Sequence, residues 1–474
     1  MPKSVFKRIV WFRNDLRIYD NPALHHAASD KEGVLAVYFI CLDMIKNHSV
    51  APVRTDFVRR HLLELTEDLA ELNIPLVIFN VDKTREIIPC LETLIAKHDV
   101  EELFFNAEYP WDEFERDKKV SETLRAKNVI VKRFHDRVIS PPGMIRNGKG
   151  EPYKVFTAFK KTWLNQARAL TLKPLGKPAI QPENSHAVLT EKSINLLFKD
   201  IELRDLSKLW PAGEKEANKR LKDFAKNHIK DYLDERDFPD IDTTSHLSPY
   251  LAIGSISPRQ CVAAALHANQ GEWDSGSAGI TTWINEIIWR EFYQHVVVDF
   301  PRVCKFKAMQ THTEAFPWSY DKKLFKAWCD GETGIPIVDA AMLQLKETGW
   351  MHNRLRMVVA MFLTKNLQID WRLGEKYFME QLIDGDFAAN NGGWQWSAST
   401  GTDAAPYFRI FNPLSQSQRF DADGAFIRRY LPVLKKLPSK VIHNPPPMEG
   451  YPLPIVDLSI SRKHSIELFG MLKS

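Results

Sequence analysis

RIVWFRNDLRIYDNPAL, residues 8–24, begins as a short apolar run and turns polar at Arg13. RIVWF (8–12) reads as a buried strand. Four more runs of the same kind follow, VLAVYFI (34–40), PLVIFNV (75–81), ELFFNA (102–107) and VIVKRF (129–134). Amphipathic stretches such as Thr55 to Leu72 separate them. Apolar strands spaced by helices imply a parallel sheet covered on both faces, so residues 1–135 are expected to form a five-stranded doubly wound α/β domain. The turn after the first strand contains no glycine, and the GxGxxG dinucleotide fingerprint is absent. Arg13, Asn14, Asp15 and Arg17 fit either a pocket lining at the strand's carboxyl end or a salt-bridged loop; their chemistry favours the loop.

The bounds are those of an ordinary globular protein. The chain has 474 residues, 44% of them hydrophobic and 26% charged, with a formal net charge of +4. That length allows two or three domains. The small positive charge permits a nucleic-acid partner without arguing for one. Five cysteines, Cys41, Cys90, Cys261, Cys304 and Cys329, are widely spaced and form no CxxC pair, which points to a reduced, cytoplasmic protein without a structural zinc site. The N-terminal apolar run is cut by Arg13, Asp15 and Arg17, so no signal peptide is expected, and no apolar run reaches the length of a membrane span. Nine of the thirteen tryptophans fall between Trp273 and Trp396, which marks the second half as the place to look for an aromatic site.

From 136 to 203 periodicity fades and PPG, KPLGKP and QPENSH supply turn signals, so this stretch is expected to be an inter-domain linker. A helical piece from Tyr153 to Leu170 interrupts it, with Lys160 and Lys161 on a solvated face. Residues 204–474 are expected to form a larger all-helical domain. The helix from Trp283 to Phe300 places Trp283, Glu286 and Arg290 on one side. A second, from Gly349 to about Leu367, aligns Trp350, Asn353, Arg356 and Met357. Polar residues within apolar helices are costly unless partnered, so they face a ligand or pair with Asp384 and Asp386. DGDFAANNGGWQWSASTGT (384–402) combines acids, asparagines, glycines and tryptophans with almost no aliphatic residue. The expectation is a helix over 384–391, with Asp386 and Asn390 on one face, ended by Gly392 and Gly393. A buried fused-ring cofactor would satisfy these residues together; a polar helix end followed by an aromatic loop is the plainer alternative.

LSPYLAIGSISPRQ (247–260), WINEIIWREFY (283–293), GWMHNRLRMVVAMFL (349–363), DGDFAANNGGWQWSASTGTDAAPYFRIFNP (384–413) and IVWFRNDLRIYDNPAL together resemble the photolyase/cryptochrome family, most closely its bacterial class I cyclobutane pyrimidine dimer photolyases. The resemblance implies an α/β antenna domain, a linker and a helical domain enclosing a catalytic FAD, used as FADH⁻. It implies that Tyr232, Thr244, Ser245, Leu247 and Ser248 cradle the FAD phosphates and ribitol. Taken alone, that stretch reads as a helix cap. Trp283, Glu286, Arg290, Trp350, Asn353, Arg356, Asp384, Asp386 and Asn390 would surround the flavin and adenine, with Asn390 at the flavin N5 position and Arg356 paired with Asp384.

The implied activity is light-driven carbon–carbon lyase repair of UV-damaged DNA. A pyrimidine dimer flipped out of the duplex would stack between Trp289 and Trp396. Glu286 would hydrogen-bond it, and Asn353 and Met357 would complete the pocket. Arg236, Arg354 and Arg409 match DNA phosphate contacts, assisted by Lys160 and Lys161. Trp394, Trp371 and Trp318 match an electron-transfer chain that reduces the flavin. His48, Glu113, Cys304 and Lys305 match contacts to a 5,10-methenyltetrahydrofolate polyglutamate antenna. Asp112 stands where that pattern has asparagine, which keeps a deazaflavin or an empty pocket open. The protein is expected to be monomeric. A signalling cryptochrome would share the fold, but the chain ends about 60 residues after the last motif, leaving little room for a long tail. A (6-4) photolyase would carry histidine at Met357.

Overall fold

The computed structural model describes residues 6–169, 172–403 and 406–472. Leu170, at the end of the expected 153–170 helix, and Ala404 and Ala405, within the last motif, lie outside the described residues.

The expected sheet is present. β1 (Arg8–Phe12), β2 (Val34–Cys41), β3 (Leu76–Val81), β4 (Glu102–Asn106) and β5 (Ile130–Phe134) pair in parallel in the order β3-β2-β1-β4-β5. Register is set by pairs such as Ile9 with Leu35 and Ile9 with Leu103. Ile9, Trp11, Leu35, Val37, Leu103 and Phe105 are buried together on one face, while Val10, Phe12, Ala36 and Phe104 are buried on the other. A sheet covered on both faces needs near-continuous apolar strands, which is why they were legible. The Pro22–Ala27 and Trp111–Arg125 helices pack against it.

The chain groups into two compact units that do not follow the expected boundaries at 135 and 203. One comprises residues 1–153, 157–230 and 245–299; the other comprises 154–156, 231–244 and 300–474. The first therefore holds the sheet, all of the 136–203 stretch but residues 154–156, and the long helix Ala278–Asp299. The 136–203 stretch carries helices Phe156–Ala167 and Glu191–Leu197. The second unit is helical, and its core gathers Trp328, Leu345, Leu355, Val359, Leu363, Trp371, Phe378, Trp394, Phe426 and Leu434. Among the described residues no helix is long and apolar enough to cross a membrane.

Candidate functional site

In the second unit the site is built on three successive helices. Phe387–Ala398 is one helix, not the expected helix ending at Gly392. Asp386 is its N-cap, accepting from the Ala389 N–H at 3.1 Å, and Gly392 and Gly393 lie in its interior. Each interior glycine costs roughly 0.5–1 kcal/mol relative to alanine. Burial of Trp394 and Ala398 in the core offsets that cost. A Cβ built on Gly393 would meet nothing, so bare helix backbone borders open space there.

The second helix, Asn353–Met361, also starts later than expected. Gly349 adopts φ 66° and closes the preceding helix, and the His352 ring accepts from the Arg354 N–H at 3.3 Å. Trp350 therefore stands in the turn before the helix and not on its face with Asn353, Arg356 and Met357. The helix passes into a π turn over Phe362–Asn366. Arg356 donates through Nε to the Met351 carbonyl at 2.8 Å and through its terminal nitrogen to Asp384 Oδ2 at 2.8 Å, so the expected charge pair is with Asp384.

The third helix, Trp371–Gln381, holds a residue that sequence reasoning missed. Asn390 Nδ2 donates to the Glu375 carbonyl at 2.9 Å, and the Glu375 side chain is buried beneath it. Burial pushes the Glu375 carboxyl up to about 7, against a hydrogen bond from Asn390. A lone glutamate within WRLGEK (371–376) gives no periodic signal; only its i,i+4 offset from Trp371 hints at an inward side chain.

The tryptophans expected to carry electrons all lie in this unit. Trp394 is buried edge-on to Phe378 at 5.0 Å and to Trp328 at 6.0 Å between ring centres. Trp371 is fully buried under the Arg372 guanidinium at 4.8 Å. Trp318 is half-buried against Phe316 at 4.2 Å. Trp396 is half-buried. Of the expected phosphate-binding arginines, Arg236 and Arg354 converge on Asp237, while Arg409 is exposed. Tyr232 lies under the Arg236 guanidinium at 5.2 Å; Thr244 is half-buried. Cys304 and Lys305 fall in the short 3₁₀ turn Pro301–Lys305.

In the first unit, Trp283, Glu286, Trp289 and Arg290 occupy the helix Ala278–Asp299 as expected. Trp283 is buried beside Phe224, and Trp289 leans on Tyr293 with ring centres 5.7 Å apart. Arg290, expected beside the cofactor, also makes contacts of its own within the unit. It donates to the backbone carbonyls of Arg137 at 2.6 Å and Leu251 at 3.3 Å, tying the helix to the chain on either side. Glu291, also missed, accepts from the Ile139 and Ser140 N–H groups and the Trp163 indole. Leu247 caps the short helix Ser248–Ile253 without a side-chain bond; Ser245 is half-buried and Ser248 exposed.

The expected antenna residues of this unit do assemble. His48 Nε2 stands 3.9 Å from Asp112 Oδ2 and 3.8 Å from Glu113 Oε1. Burial pushes the Glu113 carboxyl up, with His48 acting against it. A groove of about 650 Å³ runs past His48, Asp112 and Arg116. Arg13, Asn14, Asp15 and Arg17 form the salt-bridged loop: Arg17 pairs with Asp136, and Arg13 with Asp117. Burial alone would raise the Glu108 carboxyl, but Arg116, Arg13 and Arg137 hold it well below the usual carboxylate range.

A polar cofactor edge fits the second unit's residues. Asp384 Oδ1, Glu375 Oε1 and Asn391 Nδ2 are buried without a hydrogen-bond partner among the described residues. Stranded polar atoms of this kind cost about 1–3 kcal/mol each, so their presence in one three-helix group calls for an external partner offering donors and acceptors.

The profile described as the FAD binding domain of DNA photolyase matches residues 283–470, and that described as DNA photolyase matches residues 8–180. A deoxyribodipyrimidine photo-lyase of Vibrio cholerae is 42% identical, over 98% of this chain and all of its own. A bacterial class III photolyase of Agrobacterium tumefaciens superposes with a TM-score of 0.88 at 34% identity, covering 99% of this chain and 98% of that one. An archaeal photolyase of Sulfolobus tokodaii, solved with two FAD molecules, gives a TM-score of 0.83 at 28% identity, covering 98% and 99%.

Proposed function

Because the chain belongs to the DNA photolyase family over nearly its whole length, we propose that it repairs cyclobutane pyrimidine dimers through the residues placed above. It is a light-dependent DNA-repair lyase and a flavoprotein. Bound FAD, in its reduced form, supplies a photoexcited electron that the lesion borrows and returns. Everything else falls to the chain. The carrying observation is Asp384, whose Oδ2 is held by Arg356 while its buried Oδ1 has no hydrogen-bond donor among the described residues. That oxygen would accept from a bound cofactor ring, and the Arg356 charge next to it would favour an electron-rich ring.

Asn390 presents an amide fixed through one N–H by the Glu375 carbonyl. Its second N–H and its oxygen suit a ring nitrogen that changes protonation with redox state. Trp289 and Trp396 each offer a flat apolar face suited to stacking a flipped pyrimidine, Glu286 offers acceptors for pyrimidine N–H groups, and Asn353 and Met357 belong to the same lesion-binding reading. Trp394, Trp371 and Trp318 would carry electrons toward a bound flavin. Exposed Arg409, with Arg236 and Arg354, holds the DNA backbone. In the first unit His48, Asp112 and Glu113 carry a light-harvesting pterin such as methenyltetrahydrofolate, whose amino and ring N–H groups match these acceptors. The protein works in the cytoplasm, a reading supported by its five free cysteines, and as a monomer.

Replacing Trp289 with alanine tests the lesion-stacking role. Affinity for dimer-containing DNA is expected to fall ten- to hundredfold, matching about 1–3 kcal/mol per stacked base, while flavin content is unchanged. Loss of flavin, or unaltered lesion affinity, contradicts the assignment.

A further inference from the structure

Arg236 and Arg354 meet one carboxylate in the second unit. Arg354 donates through a terminal nitrogen to Asp237 Oδ2, and Arg236 Nε stands 3.9 Å from Asp237 Oδ1. Arg354 occupies the first turn of the helix Asn353–Met361, the end at which a cation is disfavoured, so an accompanying anion stabilises it there. Asp237 fills that role incompletely. The Arg354 Nε is buried without a hydrogen-bond partner among the described residues, so only part of its planar fork is used. A phosphate, with several oxygens, matches the whole fork. Nor is Asp237 needed to aim the two arginines. The Arg354 guanidinium lies over the buried Phe420 ring at 4.6 Å, and that of Arg236 over the Tyr232 ring at 5.2 Å, and such contacts hold the guanidinium planes in place. The Asp237 side chain is 28% exposed, and a pair that open to water is easily parted. What Asp237 contributes is charge.

We propose that Asp237 is an internal substitute for a DNA phosphate, a positioning residue that limits how tightly the protein grips DNA backbone. It partly neutralises Arg354 and Arg236 while the protein is free, and it must be displaced, or stand as a like charge beside the incoming phosphate, when DNA engages them. The inference rests on the reading of Arg236 and Arg354 as phosphate contacts. Every duplex meets the same cost at these arginines. A duplex carrying a flipped lesion offsets it by stacking in the pocket; an undamaged or newly repaired duplex has no such gain and is let go. Asp237 thereby favours release of product over lingering on intact DNA.

The test measures binding of the FAD-loaded protein, in darkness and across a range of salt, to an undamaged duplex and to one carrying a cyclobutane dimer. The chains compared are the unaltered protein, Asp237→Asn, Asp237→Glu and Arg354→Gln. Asp237→Asn keeps the shape and removes the charge. It is expected to bind several-fold more tightly, to dissociate more slowly, and to steepen the dependence of log affinity on log salt by about one. The gain is expected on both duplexes, because both present the same backbone; a gain on the lesion duplex alone overturns the proposal. Asp237→Glu, which keeps the charge, is expected to retain the unaltered slope. An Asn variant with full flavin content that binds no more tightly, or whose slope is unchanged, overturns the proposal, as does a Glu variant as steep as the Asn variant. Should Asp237→Asn not fold, Asp237→Ser is read against the same expectations. If the proposal fails while Arg354→Gln still weakens binding, the phosphate reading stands without it. If Arg354→Gln leaves affinity and slope unchanged, the phosphate reading falls and the proposal falls with it.

Discussion

Glu375 shows how a single buried group governs pH behaviour beside the cofactor position. Its carboxyl is raised from an ordinary 4.5 to about 7 by burial. The folded state therefore holds the proton more tightly than the unfolded chain. Stability from this group is complete below about pH 4.5 and is lost as pH rises to about 7, by roughly 3 kcal/mol for a shift of that size. Glu375→Gln keeps the shape and removes the titration. Relative to the unaltered protein it should gain thermal stability at pH 8 compared with pH 5, and an equal difference at both pH values contradicts the account. Glu375 was not legible in the sequence because one glutamate in a helix reads as a solvated position. Asp384 and Arg356 were legible, since charges inside apolar helices demand partners and each supplied the other's. Arg290 shared that signal, and its guanidinium donates to two backbone carbonyls.

Among the elements, the strands were read to within a residue or so because burial on both faces leaves no room for polar interruption. Helix ends were read less well, for a physical reason. Gly392 and Gly393 carry the ordinary signal of a helix stop, yet the helix runs on because Trp394 and Ala398 beyond them are core residues. Tertiary burial outweighed local preference. The neighbouring Gly374 has a different role. A Cβ there would lie 2.2 Å from Cη2 of Trp394, so only glycine lets the Trp371–Gln381 and Phe387–Ala398 helices approach with the indole between them. Gly374→Ala should cost about 1–3 kcal/mol by overpacking, seen as a lowered denaturation midpoint, and should slow photoreduction of the flavin by shifting Trp394. A midpoint at or above that of the unaltered protein contradicts this packing.

For the whole molecule, the fold class followed from strand–helix alternation and the helical second half from its periodicity. The compact units did not follow, because the long helix Ala278–Asp299 groups with the sheet despite its place among helical sequence. The net charge of +4 is too small to indicate DNA binding by itself, so binding must come from local contacts. With Arg409 on the DNA backbone, log affinity for duplex should fall linearly with log salt, and Arg409→Gln should make that slope shallower by about one. An unchanged slope removes Arg409 from the interface.

The central claim is that this chain uses light and a reduced flavin to split cyclobutane dimers. The direct measurement incubates reduced protein with oligonucleotides carrying either a cyclobutane dimer or a (6-4) lesion, in light and in darkness, and counts restored pyrimidines. Restoration of the cyclobutane dimer in light alone is predicted; restoration of only the (6-4) lesion, or of neither, would contradict it.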